Sequence, residues 1–255
     1  MIKKKLKMLV EEIEQEETRV ATRLVEIKFE NGMCLSYLSD IETIAVGDLV
    51  TVEGKLEEEI GLVKTVKKSF KIPKFEMKWV QSVLDCDVTG DYFKLDEDMV
   101  STNSVLTAEK FMTLYAGVKY QENKAVGEDA MDLDLANFEE DEMFDSELVK
   151  IKGKELFKAN AVAFISLRDG VGKAIVRGGE WYEIDFRYQA GRITYMACDC
   201  PYFGECKHEI ALLYKLRAFL KKLAVKTDSV NFVMCRKECL NAMLSYGKGK
   251  VSMEL

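Results

Sequence analysis

Histidine is nearly missing from this chain of 255 residues, which contains one, His208. A second metal site could therefore draw on no imidazole, and cysteine or carboxylate would have to carry it. Long apolar runs are missing as well: no window reaches the 18 or more uncharged residues of a spanning helix, which predicts a protein that stays in solution. The basic start Met1-Ile2-Lys3-Lys4-Lys5 imitates an export signal, but Glu11, Glu12 and Glu14 arrive before an apolar core develops, so none is expected. Internal repeats are absent. Gly170-Val171-Gly172-Lys173 is not a phosphate loop, because Leu167 stands where the leading glycine belongs and Ala174 lacks the hydroxyl that would hold magnesium. No catalytic constellation can be named, and the chain is expected not to be an enzyme.

What is present belongs to a folded protein, with 48% hydrophobic and 32% charged residues. Seven cysteines, an odd number in a chain without an export signal, predict reduced thiols in the cytoplasm. The net charge of −7 is unevenly spread. Residues 151–255 carry 18 Lys/Arg and 11 Asp/Glu, a net of +7, which leaves −14 to residues 1–150. The basic half has the polarity expected of a surface that meets phosphate.

That half also holds the densest chemistry, Cys198-Asp199-Cys200-Pro201, then Cys206-Lys207-His208. Three thiols and one imidazole match a closed tetrahedral zinc site. Cys198 and Cys200 stand two apart, so on a strand both sulfurs face one side. Pro201 ends the strand, Gly204 lets the loop return, and Cys206 and His208 open a helix whose free amides favour thiolate. Buried free thiols and a redox-active pair are the competing readings. A catalytic zinc would need an open position and a base such as Glu205 or Glu209, whereas four protein ligands fill the shell.

The run from Cys198 through Cys206-Lys207-His208-Glu209-Ile210-Ala211-Leu212-Leu213 resembles the SWIM zinc finger, CxCx(n)CxH, over about residues 148–222. The resemblance implies that Cys198, Cys200, Cys206 and His208 bind a structural zinc ion. It further implies a module that contacts DNA or a protein partner such as a separately encoded helicase or nuclease. No small-molecule substrate and no membrane contact are expected. The candidate nucleic-acid contacts are Lys173, Arg177, Arg187, Arg192, Lys207, Lys215, Arg217, Lys221 and Lys222, with Trp181 or Tyr202 to stack on a base. The competing reading for each is an ordinary solvated face.

The expected fold class is α+β: a small N-terminal β-barrel, an acidic linker, and a C-terminal antiparallel sheet that leads into a zinc-stapled strand, loop and helix. Residues 1–19 would be an arm or short helix. Residues 20–72 alternate in the manner of an SH3-like or OB-like barrel, turned at Asn31-Gly32. Lys67, Lys68, Lys71 and Lys74 beside it read as a strand end or linker, or as a nucleic-acid edge. Residues 73–126 read as a helical segment with two helices within 75–120, one capped at Thr107 and stopped at Gly117. Residues 127–147 hold ten acids and no base, which reads as a flexible linker.

Residues 148–255 would form the zinc-binding domain with its C-terminal helices. It opens with a helix over about 146–157, followed by strands at 161–167, 172–176, 180–188 and 192–198. The sheet should be apolar on one face, covered by a helix over 209–223, and a last helix should run from Asp228 to Leu244. Cys235 and Cys239 would share a face of that helix. A second site combining them with Cys34 and Cys86 is the weaker alternative to core thiols.

Overall fold

In the computed structural model, which describes residues 19–71, 76–117, 130–139, 144–202, 206–224 and 230–254, Asn31-Gly32 joins β1 (Arg23–Lys28) to β2 (Cys34–Ser39). The Asn31 side chain accepts the Met33 N–H at 2.9 Å, and Gly32 takes a φ of +84° that a Cβ would strain. Strands β3 (Leu49–Val52), β4 (Gly61–Lys67) and β5 (Val80–Val83) complete a five-stranded sheet in the order β2-β1-β4-β3-β5. Its outer strands meet where the Leu38 N–H donates to the Lys78 carbonyl at 2.9 Å beside a Leu38–Trp79 bridge. The sheet thereby curls around Val25, Ile27, Val50, Val52, Val63 and Val80. These strands lie in the unit Met1–Leu84, and the rest of the chain forms a second unit, Asp85–Leu255. The arm expected before Arg19 lies outside the described residues, as do Lys74 and Gly204.

Helix was the wrong expectation for most of residues 73–126. Besides β5, strands β6 (Gly90–Leu95) and β7 (Asp98–Ser101) occupy it, and among its described residues, 76–117, one helix forms, α1 (Ala108–Phe111), which runs into a π-helical turn over Met112–Ala116. Thr107 caps it by accepting the Lys110 N–H at 3.2 Å, and Gly117 ends it at a φ of +67°. The strands are only four to six residues long. Runs this short carry little periodicity, and partners remote in sequence decide their conformation.

The acidic stretch also folds, in part, as a strand. Met131-Asp132-Leu133-Asp134-Leu135 alternates with period two, and β8 (Ala130–Asp134) adds to the edge of a nine-stranded sheet. Leu135, Phe138 and Phe144 are buried in the core while Asp132 and Glu139 face solvent. Counting charge alone concealed that alternation, because an edge strand with one wet side tolerates acids that a central strand would not.

The expected C-terminal elements form, with α2 at Glu147–Lys158 and strands β9 (Val162–Arg168), β10 (Val171–Arg177), β11 (Trp181–Gln189) and β12 (Arg192–Cys198). The turns at Asp169-Gly170 and Ala190-Gly191 take positive φ at both residues, as two-residue hairpins with the sheet's twist require. Helix α3 spans Lys207–Leu223. Of the last expected helix, Asp228 lies outside the described residues; residues 232–236 are strand β13 (Phe232–Arg236), and among the described residues only Lys237–Leu244 form a helix, α4. β13 inserts between β7 and β9, and β14 (Val251–Glu254) pairs parallel to β6 at the far edge. The sheet order is β14-β6-β7-β13-β9-β10-β11-β12-β8.

Both faces of this sheet are covered, which corrects the one-sided expectation. α3 packs Ile210, Leu213, Leu216 and Phe219 with Ile184, Phe186 and Ile193 on one face. α2 approaches α3 closely at Gly153, where a Cβ would sit 2.6 Å from Ile210 Cβ. On the other face, α1 contacts β9 and β10, and α4 contacts β7 and β13. Phe111 meets Phe164 at 5.2 Å and Trp181 at 6.0 Å between ring centroids. Among the described residues no helix is long and apolar enough to cross a membrane.

Candidate metal centre

Strand β12 ends on Cys198, Cys200 follows in the bend beyond it rather than on the expected strand, and the start of α3 delivers the other two ligands. Beyond β12, Asp199 holds the chain against β11, donating its N–H to the Glu183 carbonyl at 3.0 Å and accepting the Glu183 N–H at 2.9 Å through Oδ1. Those bonds place Cys198 and Cys200 on either side of a pinned residue. Cys206 is the N-cap of α3, and its sulfur accepts the His208 N–H at 3.3 Å and a bond from the Glu209 amide. The Cys198 sulfur accepts from the Cys200 amide, and the Cys200 sulfur from the Tyr202 amide.

The four ligand atoms lie within 4.8 Å of one another. Cys200 Sγ is 3.5 Å from Cys206 Sγ, while His208 Nδ1 is 3.4 Å from Cys206 Sγ and 3.7 Å from Cys198 Sγ. A tetrahedral ion at ordinary thiolate and imidazole bond lengths separates its ligand atoms by about 3.5–3.8 Å. The set thus fits one metal ion, with Nδ1 as the histidine ligand. Cys200, Cys206 and His208 are buried, so the site is closed rather than open to substrate.

Charge makes the same demand. The Cys198 thiol lowers Cys206 to about 4 by hydrogen bonding to it, with help from His208, whereas Cys198 is pushed up by that same bond and by burial. Burial also pushes Cys200 up. Three adjacent sulfurs cannot all ionise by themselves, and a divalent cation removes the conflict.

Two further residues shape the centre, and sequence reasoning missed both. Tyr182 stacks on the His208 ring at 4.3 Å between centroids, inclined by 26°. Gly178 leaves room for the imidazole, since a Cβ there would be 2.6 Å from His208 Nε2. That Nε2 is buried without a hydrogen-bond partner in the described structure. The β-hairpin glycines were visible in the sequence, but only the fold shows which of them faces the ring.

The nine candidate cations do not form one patch. Lys173 pairs with Glu183 and Asp185, Arg192 with Asp132, Lys215 with Asp98 and Lys222 with Asp96. Arg177 lies over Trp181 at 4.7 Å, Arg187 over Tyr195 at 5.7 Å, and Arg217 over Phe138 at 4.4 Å. Lys207 is at the metal end of α3 and Lys221 at its other end. Tyr202, beside the ligands, is 70% exposed and available to stack, and Trp181 is half-buried against Phe111 and Tyr115.

Cys235 and Cys239 do not share a helix face, because Cys235 lies on β13 and Cys239 on α4. Among the described residues only the Cys198 group gathers three or more metal-ligating side chains. Comparison with family models, with curated proteins and with solved structures yields no match.

Proposed function

We propose that this chain is a non-catalytic zinc-binding protein of the SWIM type whose basic C-terminal half, residues 151–255, contacts nucleic acid. The carrying observation is the closed Cys198, Cys200, Cys206 and His208 tetrahedron, which joins the end of β12 to the start of α3. Three thiolates and an imidazole in a buried, four-ligand site select zinc and leave no position for substrate, so the ion acts as a staple. Arg177, Arg187, Lys207 and Lys221, which form no ion pair with a described carboxylate, are the cations free to meet phosphate, and Tyr202 supplies a stacking surface. Metal analysis of the purified protein should give one zinc per chain. Titration of labelled DNA should show affinity that falls steeply with salt. Binding that ignores salt, or none at low salt, would remove the nucleic-acid part of the reading.

A second reading is favoured by α2, where Leu148 is 68% and Ile151 is 44% exposed, one helical turn apart. An apolar strip of this kind suits an adaptor that docks a separately encoded helicase or nuclease. Retention of a partner after nuclease treatment, abolished by Leu148→Glu, would favour the adaptor over the nucleic-acid contact.

A further inference from the structure

The second unit contains a cleft that neither the metal centre nor the ligand set accounts for. It lies between α2, α3, the turn after β8 and the β11–β12 hairpin, measures about 820 Å³, and is lined by Leu135, Phe157, Tyr188, Tyr214, Arg217 and Lys221, among others. That volume is within the range of sites that hold small ligands or one unit of a polymer. The distance along α3 from His208 to Lys221, thirteen residues, is about 20 Å at 1.5 Å per residue, so the cleft is remote from the metal.

Its chemistry differs from that of its neighbours. A smaller cleft of about 370 Å³ beside it contains Lys215 and Lys222, but Asp98 and Asp96 neutralise them. The cleft at the β9–β10 turn holds Asp169 as well as Arg187. Among the described residues, the lining between α2 and α3 has two cations and no carboxylate. Arg217 spends its guanidinium on the Phe138 carbonyl at 3.2 Å and on the rings of Phe138 and Tyr214, and Lys221 is exposed at the rim. Aromatic surface is equally concentrated there: Phe157 and Tyr214 stack at 5.5 Å, with Tyr188 on the opposite wall.

A flat π-surface rimmed by unmatched positive charge is the combination that holds a base and its phosphate. We infer that this cleft seats a base of single-stranded nucleic acid, with Tyr188 and Tyr214 against the base and Lys221 at the phosphate. A strand, rather than a free nucleotide, is chosen because a second space of about 840 Å³ carrying Arg187 shares Tyr188 and Gly191 of the β11–β12 hairpin with this cleft. The inference rests on the nucleic-acid reading above and assigns that reading a location.

The test uses the full-length zinc-loaded protein and a fluorescein-labelled thymidine oligonucleotide at low salt. Lys221→Glu and Tyr214→Leu should each weaken binding at least about fivefold, the loss of one stacked or phosphate-bound group, and Lys221→Glu should lower the salt dependence. Lys152→Glu, the same charge reversal on exposed α2, should leave affinity unchanged. Circular dichroism confirms that each variant folds. Photocrosslinking with 4-thiothymidine should modify Tyr188 or Tyr214. Unchanged affinity in both cleft variants, with crosslinks at Tyr202 or Lys207, overturns the cleft and spares the nucleic-acid reading. Binding of adenosine monophosphate without the oligonucleotide overturns the strand, and no binding of either overturns both.

Discussion

The second unit contains two groups of cysteines, all buried except the half-buried Cys198, and their surroundings give them opposite chemistry. Cys198, Cys200 and Cys206 converge with His208 where β12 meets α3, and backbone amides point at their sulfurs. Cys86, Cys235 and Cys239 are buried elsewhere in the unit, in no metal-ligating group among the described residues. Burial pushes Cys235 well up and Cys239 up as well, although Tyr115 and Arg236 hydrogen-bond the latter's sulfur. Equal burial therefore does not make equal thiols. Convergence of three thiols with an imidazole creates a ligand set, whereas burial without that convergence leaves a core side chain.

The largest effect that would break this comparison is metal removal. Chelation, or Cys200→Ser, should unfold the C-terminal unit around residues 148–222 while the barrel-like N-terminal sheet persists, because that sheet has its own core. Circular dichroism with thiol counting follows it. Cys34, which is exposed, should react first with a thiol reagent, and Cys198, Cys200 and Cys206 only after chelation. Persistence of the C-terminal fold without metal would sink the staple.

A smaller effect is expected at Gly178. In Gly178→Ala the new methyl collides with the His208 ring, so zinc affinity should fall about 10- to 100-fold, the usual range for disturbing a ligand's support. Competition with a fluorescent chelator measures it, and unchanged affinity would mean that the imidazole has room to shift. Smallest is Cys235→Ser on the core side: a buried hydroxyl without a partner should cost about 1–3 kcal/mol of stability and leave zinc stoichiometry at one. Loss of zinc in that variant would erase the distinction between the two groups.

The four candidate metal ligands were legible as a cluster because a site of this kind is local. Four ligands within eleven residues, interrupted by a proline and followed by a helical apolar pattern, specify strand, turn and helix start from near neighbours alone. The hairpins at Asn31-Gly32, Asp169-Gly170 and Ala190-Gly191 were legible for the same reason, since each needs φ values that few residue types supply. Strands β5, β6, β7 and β13 were not. Each is four to six residues long, and β13 is framed by β7 and β9, whose residues lie more than 60 positions earlier in the chain.

The acidic stretch was misread because charge was weighed before alternation, although Met131, Leu133 and Leu135 carry the period of a strand. The cations show the limit most plainly. Composition placed a surplus of +7 in residues 151–255, but Asp132, Asp96 and Asp98, all from the acidic half, neutralise Arg192, Lys222 and Lys215 in the fold.

By itself, the sequence determined the α+β class, the ligand set and most of the C-terminal hairpins, because short-range geometry and ligand chemistry are written in adjacent residues. Only tertiary structure decided that the large sheet is covered on both faces, that Gly178 and Tyr182 lie against the imidazole, and which cations form no ion pair among the described residues. Those features depend on groups brought together from distant parts of the chain. Their energies reside in contacts that no local window contains.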